Sequence, residues 1–388
     1  MDTALLEGTR VVELASSIAA AYCGKVLAEL GADVIKLEAP GVGDPTRAYG
    51  PFVGAVPDPE RSAGYIYVHT GKRSVTIDRA APLGQSLISR LIADADVTLI
   101  DRVPDSADEF PCPGTTVEFV GTAHPEHQHF VVSDLVGYAL SGYLYVDGSG
   151  EREPLKGGGR QPAHTASNYA ILALLAQRFG DDGRRSGRRI VVPEVESMAT
   201  MHWYTTVMWT YARIKKQRIG NRLDLSHPVS LYPCRDGWVA IGAGGNDAWR
   251  LLALVMERPE LADDPRFADG ASRLQRADEV DAFIKEYTSL RTREDVMSTL
   301  QGLRVACGFV STPHDLLVDP QYGAREYWQM LDQPGLGQLA TPGAPFKDAE
   351  LEFQARPAPR LGQHTADVLQ TLGISAEDQR HMRWDHVI

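Results

Sequence analysis

The sequence predicts an α/β protein, with a doubly wound N-terminal part on a parallel sheet and a smaller α+β region after it. Three observations carry this. The first forty residues hold a strand, a helix and a strand in quick succession. A further strand–helix–strand alternation is complete by residue 100. A separate hairpin pattern, built on an Asp-Gly turn, begins near Pro228.

Each element has a local reason. Residues 10–14 (RVVEL) are a short β-branched run. An Ala/Leu-rich helix over about 20–30 follows and is closed by Gly31, the residue that tolerates a helix C-terminus. Residues 33–38 (DVIKLE) return as a strand, so the βαβ unit demands parallel pairing. Residues 74–78 (SVTID), a helix over about 83–94 and a strand at 97–100 (VTLI) extend the alternation. Residues 101–133 read as irregular because of Pro104, Pro111, Pro113 and Pro125. A helix over 134–145 precedes the loop Lys156-Gly157-Gly158-Gly159-Arg160, a strongly apolar helix over 165–179 and a strand at 190–192. Residues 197–216 read as one aromatic-rich helix. Beyond Pro228, strands at 229–232 and 238–242 flank Arg235-Asp236-Gly237. Helices near 247–256, 277–289 and 293–303 and a strand at 308–312 complete the smaller region, and the tail after Pro342 reads as loop and helix.

Composition excludes several functions. The chain has 388 residues, 43% hydrophobic and 23% charged, an ordinary globular composition. Its 39 Lys plus Arg face 51 Asp plus Glu, a net charge of -12, which opposes non-specific nucleic-acid binding. No apolar run approaches the roughly 18–20 residues that cross a bilayer. The first ten residues lack a secretory pattern, and Cys23, Cys112, Cys234 and Cys307 form no CxxC pair. A cytoplasmic, reduced protein is expected. The first strand-to-helix turn, residues 15–24, has no GxGxxG, so a dinucleotide in the usual position is not expected. His127 and His129 have the spacing of two ligands on a strand, but a closed zinc site needs four; a polar loop or edge strand is expected there and no metal.

A series of motifs carries a resemblance. It comprises residues 6–14 (LEGTRVVEL), 30–38 (LGADVIKLE), 43–47 (GDPTR), 71–75 (GKRSV), Asp236-Gly237-Trp238, 264–267 (DPRF), Arg273, 319–321 (DPQ), Arg325, 342–345 (PGAP) and 361–365 (LGQHT). In this order they resemble the class III CoA-transferases, the family of formyl-CoA transferase, carnitine CoA-transferase and α-methylacyl-CoA racemase. The resemblance implies a Rossmann-like large domain built from both ends of the chain, a smaller inserted α+β domain and an interlocked homodimer. The corresponding limits are 1–196 and 326–388 for the large domain, 228–325 for the small one and 197–227 for a linker helix.

The resemblance also implies chemistry: an aspartate attacks the acyl-CoA carbonyl and carries CoA as an enzyme thioester. Here that position falls at about Arg160 or Gln161, and no Asp or Glu occurs from 155 to 180. The histidine of the racemase branch is replaced by Ser133, so a racemase of the usual kind is not expected. The glutamine of the first βα turn is Ile18, and the glycine-rich loop before the Asp-Gly-Trp hairpin is missing. Candidate catalytic residues are therefore Asp134, Gln161, His164 and Tyr138. His164 titrates in the range of a general base, and the triple glycine offers backbone amides to an anion. Glu196 matches an acidic family position and reads as structural. Candidate CoA-binding residues are Lys72, Arg73, Ile77, Arg79, Asp101 and Arg102. Coenzyme A or an acyl-CoA is expected as a substrate, with a carboxylate as partner and no tightly bound cofactor. The expected function is CoA transfer between carboxylic acids at an atypical site. Two alternatives stand beside it: a non-catalytic subunit of a heteromeric CoA-transferase, and a diverged enzyme that no longer uses CoA.

Overall fold

The computed structural model describes residues 4–101, 110, 112–127, 130–180, 187–347, 353 and 355–388. The chain forms two compact units, one of residues 1–143, 157–206 and 321–388, the other of 144–156 and 207–320.

In the first unit, β1 (Arg10–Glu13), α1 (Ile18–Glu29) and β2 (Asp33–Glu38) form the expected βαβ start of a parallel sheet. α2 (Ala63–Val68), β3 (Arg73–Thr76), α3 (Pro82–Ala93), β4 (Val97–Asp101) and β5 (Thr115–Val120) follow. After α4 (Asp134–Leu140), α5 (Tyr143–Val146, mostly in the second unit) and the long α6 (Gln161–Gly180) come β6 (Arg189–Pro193), α7 (Glu194–Ala199) and α8 (Trp203–Ala212), which runs from the first unit into the second. The six strands are all parallel, in the order β3-β2-β1-β4-β5-β6. Alternation along each strand decides which face a residue covers. Val11, Val34, Leu99 and Val117 point to α1 and α6, while Val12, Leu14, Ile35, Leu37 and Val75 point to α3.

The second unit has an antiparallel sheet of β7 (Val229–Cys234), β8 (Gly237–Gly242) and, after α9 (Asn246–Val255), α10 (Gly270–Gln275), α11 (Ala277–Thr288) and α12 (Arg293–Gly302), β9 (Ala306–Phe309). Tyr232, Val239 and Ile241 pack there against Trp249, Leu252, Ile284 and Leu300. α13 (Pro313–Val318) and α14 (Pro320–Ala324) lead to a hairpin in the first unit, β10 (Trp328–Gln333) and β11 (Gly337–Pro342). Then α15 (Thr365–Thr371) and α16 (Ala376–Trp384) return to the parallel sheet. Gly362 N donates to Ser74 Oγ (2.8 Å), Thr76 N to Thr365 Oγ1 (3.0 Å) and Asp78 N to the Val387 carbonyl (2.7 Å). Val368, Leu369, Met382, Val387 and Ile388 complete the core on the α3 face.

Several elements differ from the sequence reading. The segment read as irregular contains β5, whose TTVEFV run is β-branched and aromatic between its prolines. The apolar helix begins at Gln161, four residues earlier than its apolar pattern, so Gln161 and His164 lie in its first turn. The aromatic helix is two helices. Thr200 closes α7, and His202 starts the next one with its Nδ1 2.7 Å from Thr205 Oγ1. The strand read at 308–312 lies at Ala306–Phe309, and the hairpin of β10 and β11 was not foreseen.

Candidate active site

A parallel sheet with this order reverses its winding beside β1, and ligands of such sheets bind outside the carboxyl ends of the strands at that point. Here the crevice lies between β1 and β4. The turn leaving β1 is held by Asp101, the last residue of β4. Its Oδ2 accepts from Ser16 N (2.5 Å) and Ser17 N (2.8 Å), and its Oδ1 from Ser17 Oγ (2.5 Å). Ser17 Oγ in turn caps α1 by accepting from Ala20 N (3.2 Å). Burial raises the Asp101 carboxyl against the pull of these donors. Asp101 thus fixes the floor of the crevice.

Around this floor stand the first turns of α4, α6 and α7, which pack on one another. Asp134 opens α4 behind the N-cap Ser133. His164 sets its ring edge-on against Tyr22, centroids 4.5 Å apart. Burial, then the positive charges of Arg160 and Lys25, lower the imidazole against the opposing pull of Asp134, so it is neutral at pH 7 and able to accept a proton. Gln161 is exposed, its Nε2 3.4 Å from the Gly158 carbonyl. Tyr138 is buried, and a Cβ on Gly157 would lie 2.8 Å from its phenol oxygen. The first glycine of the triple-glycine loop therefore admits the ring, and Tyr138 packs beneath the site. Arg160 is exposed, with its guanidinium 5.1 Å from the centre of the Tyr49 ring.

One acid was missed. Glu194 follows β6 directly and is half-buried. Burial pushes its carboxyl up to about 7, with the charges of Asp101 and Asp134 adding to the rise and Arg160 opposing it. In the sequence it reads only as the first of two acids in a VVPEVE run. The available signal was Pro193, which has no N–H and so favours a strand end, leaving the next side chain free of the ladder. Glu196, by contrast, accepts from Thr122 Oγ1 and Ala123 N, both at 2.9 Å, and holds a loop.

The candidate CoA-binding residues are dispersed. Lys72 is buried, with its Nζ 2.7 Å from both Glu13 Oε2 and the Ala21 carbonyl and 3.1 Å from His69 Nδ1. It belongs to an ion network with Lys36, which binds Asp44 (2.6 Å), Glu13 (3.4 Å) and the Ala15 carbonyl. Burial alone would raise Asp44, but Lys36 and His69 hold it far below the ordinary range. Burial, helped by the Lys72 ammonium, pushes His69 down to about 4. Beside it, Arg47 grips Glu38 at 2.7 and 2.9 Å. Arg73 pairs with Asp33 (2.7 and 2.5 Å), and Ile77 is core. Arg79 is exposed at the carboxyl edge and donates to the Leu14 carbonyl (3.1 Å). Arg102 lies outside the described residues, as does His129; Pro125–His127 is a single 3-10 turn, and among the described residues no group of three ligating side chains could hold a metal. A separate cavity of about 580 Å³ lies on the second unit's sheet, lined by Leu223, Leu231, Ala240 and Cys307; its Arg222 is held by Asp278 and Asp281.

The family model for CoA-transferase family III matches residues 6–111 and 116–365. The chain belongs to CoA-transferase family III. It is 30% identical to the BbsE subunit of succinyl-CoA:(R)-benzylsuccinate CoA-transferase from Thauera aromatica, over 95% of this chain and 94% of that one. It is 28% identical to succinyl-CoA–D-citramalate CoA-transferase from Chloroflexus aurantiacus, over 99% and 98% of the two chains. Among solved structures, a CAIB/BAIF family protein from Brucella suis superposes with a TM-score of 0.82 at 25% identity, covering 95% of this chain and 99% of that one. This family III chain is accordingly a CoA-transferase.

Proposed function

We propose that this chain moves CoA from an acyl-CoA thioester to a free carboxylic acid at the carboxyl edge of its parallel sheet. The observation that carries this is the joining, over the Asp101-held crevice, of acids, a neutral imidazole and an exposed guanidinium in a family III chain. His164 is the proton acceptor of the cleft and Asp134 a supporting charge. Arg160 is the partner for a substrate carboxylate, and Gln161 lines the entrance beside the Gly158–Gly159 amides. Arg79 and Arg102 remain candidates for the CoA phosphates, whereas Arg73, tied to Asp33 where β2 and β3 begin, lies at the opposite edge of the sheet. Several relatives are named for succinyl-CoA, which makes a dicarboxylic thioester the donor to try first. The large domain takes residues 1–196 and 326–388, the small one 228–325, and the protein works as an interlocked homodimer in the cytoplasm.

A second reading is favoured by two observations together: no Asp or Glu occurs from 155 to 180, where the resemblance puts the nucleophile, and a 30%-identical relative is named as a subunit. In it the chain pairs with a homologue that holds the complete site. The deciding experiment is to purify the chain alone, incubate it with succinyl-CoA and a panel of dicarboxylic acids, and follow new thioesters by chromatography. Turnover by the chain alone supports the first reading. Turnover that appears only after a homologous chain is co-purified supports the second.

A further inference from the structure

We propose that Glu194 is the carboxylate nucleophile of this enzyme, replacing the aspartate missing near Arg160 and Gln161. The inference rests on the transferase reading above and names the group that reading lacks.

Position is the first argument. Glu194 comes directly after the β6 residue paired with Val120, so it leaves the sheet at its carboxyl edge. The helix it opens packs on the two helices that begin with Asp134 and with Gln161 and His164. Its carboxylate stands in the fields of Asp101 from β4, Asp134 from α4 and Arg160 from the loop before α6. The same Asp134 and Arg160 act on His164. These groups therefore form one cluster.

The second argument is the state of the side chain. Structural carboxylates nearby are tied down: Asp101 by three donors, Glu196 by two, Glu118 by Arg189 at 2.6 Å. Glu194 makes no hydrogen bond and no ion pair among the described residues, yet it is half out of water. Withdrawing an acid from water without partners is unfavourable, and such arrangements concentrate where chemistry is done. A carboxylate with raised proton affinity is also a stronger nucleophile than an ordinary one.

The step balances without another reagent. A Glu194 carboxylate oxygen bonds to the acyl carbon of the donor thioester, the C–S bond breaks, and CoA leaves as its thiolate. The thiolate then attacks the Glu194 side-chain carbonyl carbon, the anhydride C–O bond breaks, and the donor acid departs as its carboxylate. What remains is a γ-glutamyl-CoA thioester. An acceptor carboxylate reverses both steps.

The test uses the full chain with succinyl-CoA and no acceptor, followed by hydroxylamine and peptide mass spectrometry. A hydroxamate at Glu194 is the expected result, formed faster as pH rises through about 7 because the ionised acid attacks. Glu194→Gln should lose the label and at least about 10³-fold in transfer rate, while still binding CoA by calorimetry as proof of folding. A label at Asp134 or elsewhere overturns the proposal, as does a Gln variant within about tenfold of the parent rate. Parent protein that binds succinyl-CoA without becoming labelled overturns the nucleophile alone. Parent protein that binds no CoA overturns the transferase reading, and the proposal with it.

Discussion

Glu194 shows how a single side chain links stability to pH. Its folded carboxyl titrates near 7, against about 4.3 in an unfolded chain. Between those values the folded state holds the extra proton, so this residue makes the protein less stable as pH rises through that window. His69 has the opposite sign. Its folded value near 4 lies below the unfolded one, so its contribution is lost as pH falls from about 6.5. The two slopes overlap, and only a difference between variants separates them. Glu194→Gln should melt higher than the parent at pH 8, by roughly 2 °C, and show no gain at pH 4.5, as read by calorimetry at both pH values. None of this was legible at Glu194 itself, because an acid after a strand looks the same whether it faces water or a cleft. Lys36 and Glu38 were partly legible. In DVIKLE they alternate with Ile35 and Leu37, which puts two opposite charges on one face of an interior strand.

At the scale of elements, the ion network ties β1, β2 and β3 to the loop through Asp44 and Arg47. Glu13 is its hinge, serving Lys72 and Lys36 together. Glu13→Ala leaves both ammonium groups short of a buried partner and should cost about 3–5 kcal/mol, measurable by urea unfolding. Gly24 reaches the same place from α1: a Cβ there would sit 2.3 Å from Glu13 Oε2. Gly24→Ala should destabilise as well, without removing any charge. The first three elements were legible because strand, helix and glycine stop agree locally. β5 was not, since flanking prolines outweighed its own β-branched run. β10 alternates in burial but not in hydropathy: the apolar Met330 is exposed while the polar Gln333 is buried beside Leu331, so its sequence gives no strand pattern.

For the whole molecule, α8 is the feature that a lone chain leaves unsettled. Trp203, Val207 and Tyr211 recur at every fourth residue and are 75%, 49% and 86% exposed. A helix that is apolar on an exposed face asks for a cover, in keeping with the proposed homodimer. Light scattering should return twice the chain mass, and Val207→Asp with Tyr211→Asp should halve it. A parent protein already at the single-chain mass would remove this assignment and strengthen the heteromeric alternative. Fold class and family were both readable in the sequence, because the motifs that set strand starts and loop turns persist. Of the site, Asp134, Gln161 and His164 were named from the sequence and open α4 and α6; Glu194 was not, because it meets the fields of Asp101 and Asp134 only after folding.

The return of residues 362–388 to the first sheet has a consequence for how the protein is born. Thr76 waits for Thr365, 289 positions later, before its amide is bonded as in the finished molecule. At ribosomal speeds of about 5–20 residues per second, that gap lasts roughly 15–60 s. Throughout it the face bearing Val75 and Ile77 lacks Val368, Leu369 and Met382, and the nascent chain offers an uncovered apolar surface to whatever binds such surfaces in the cell.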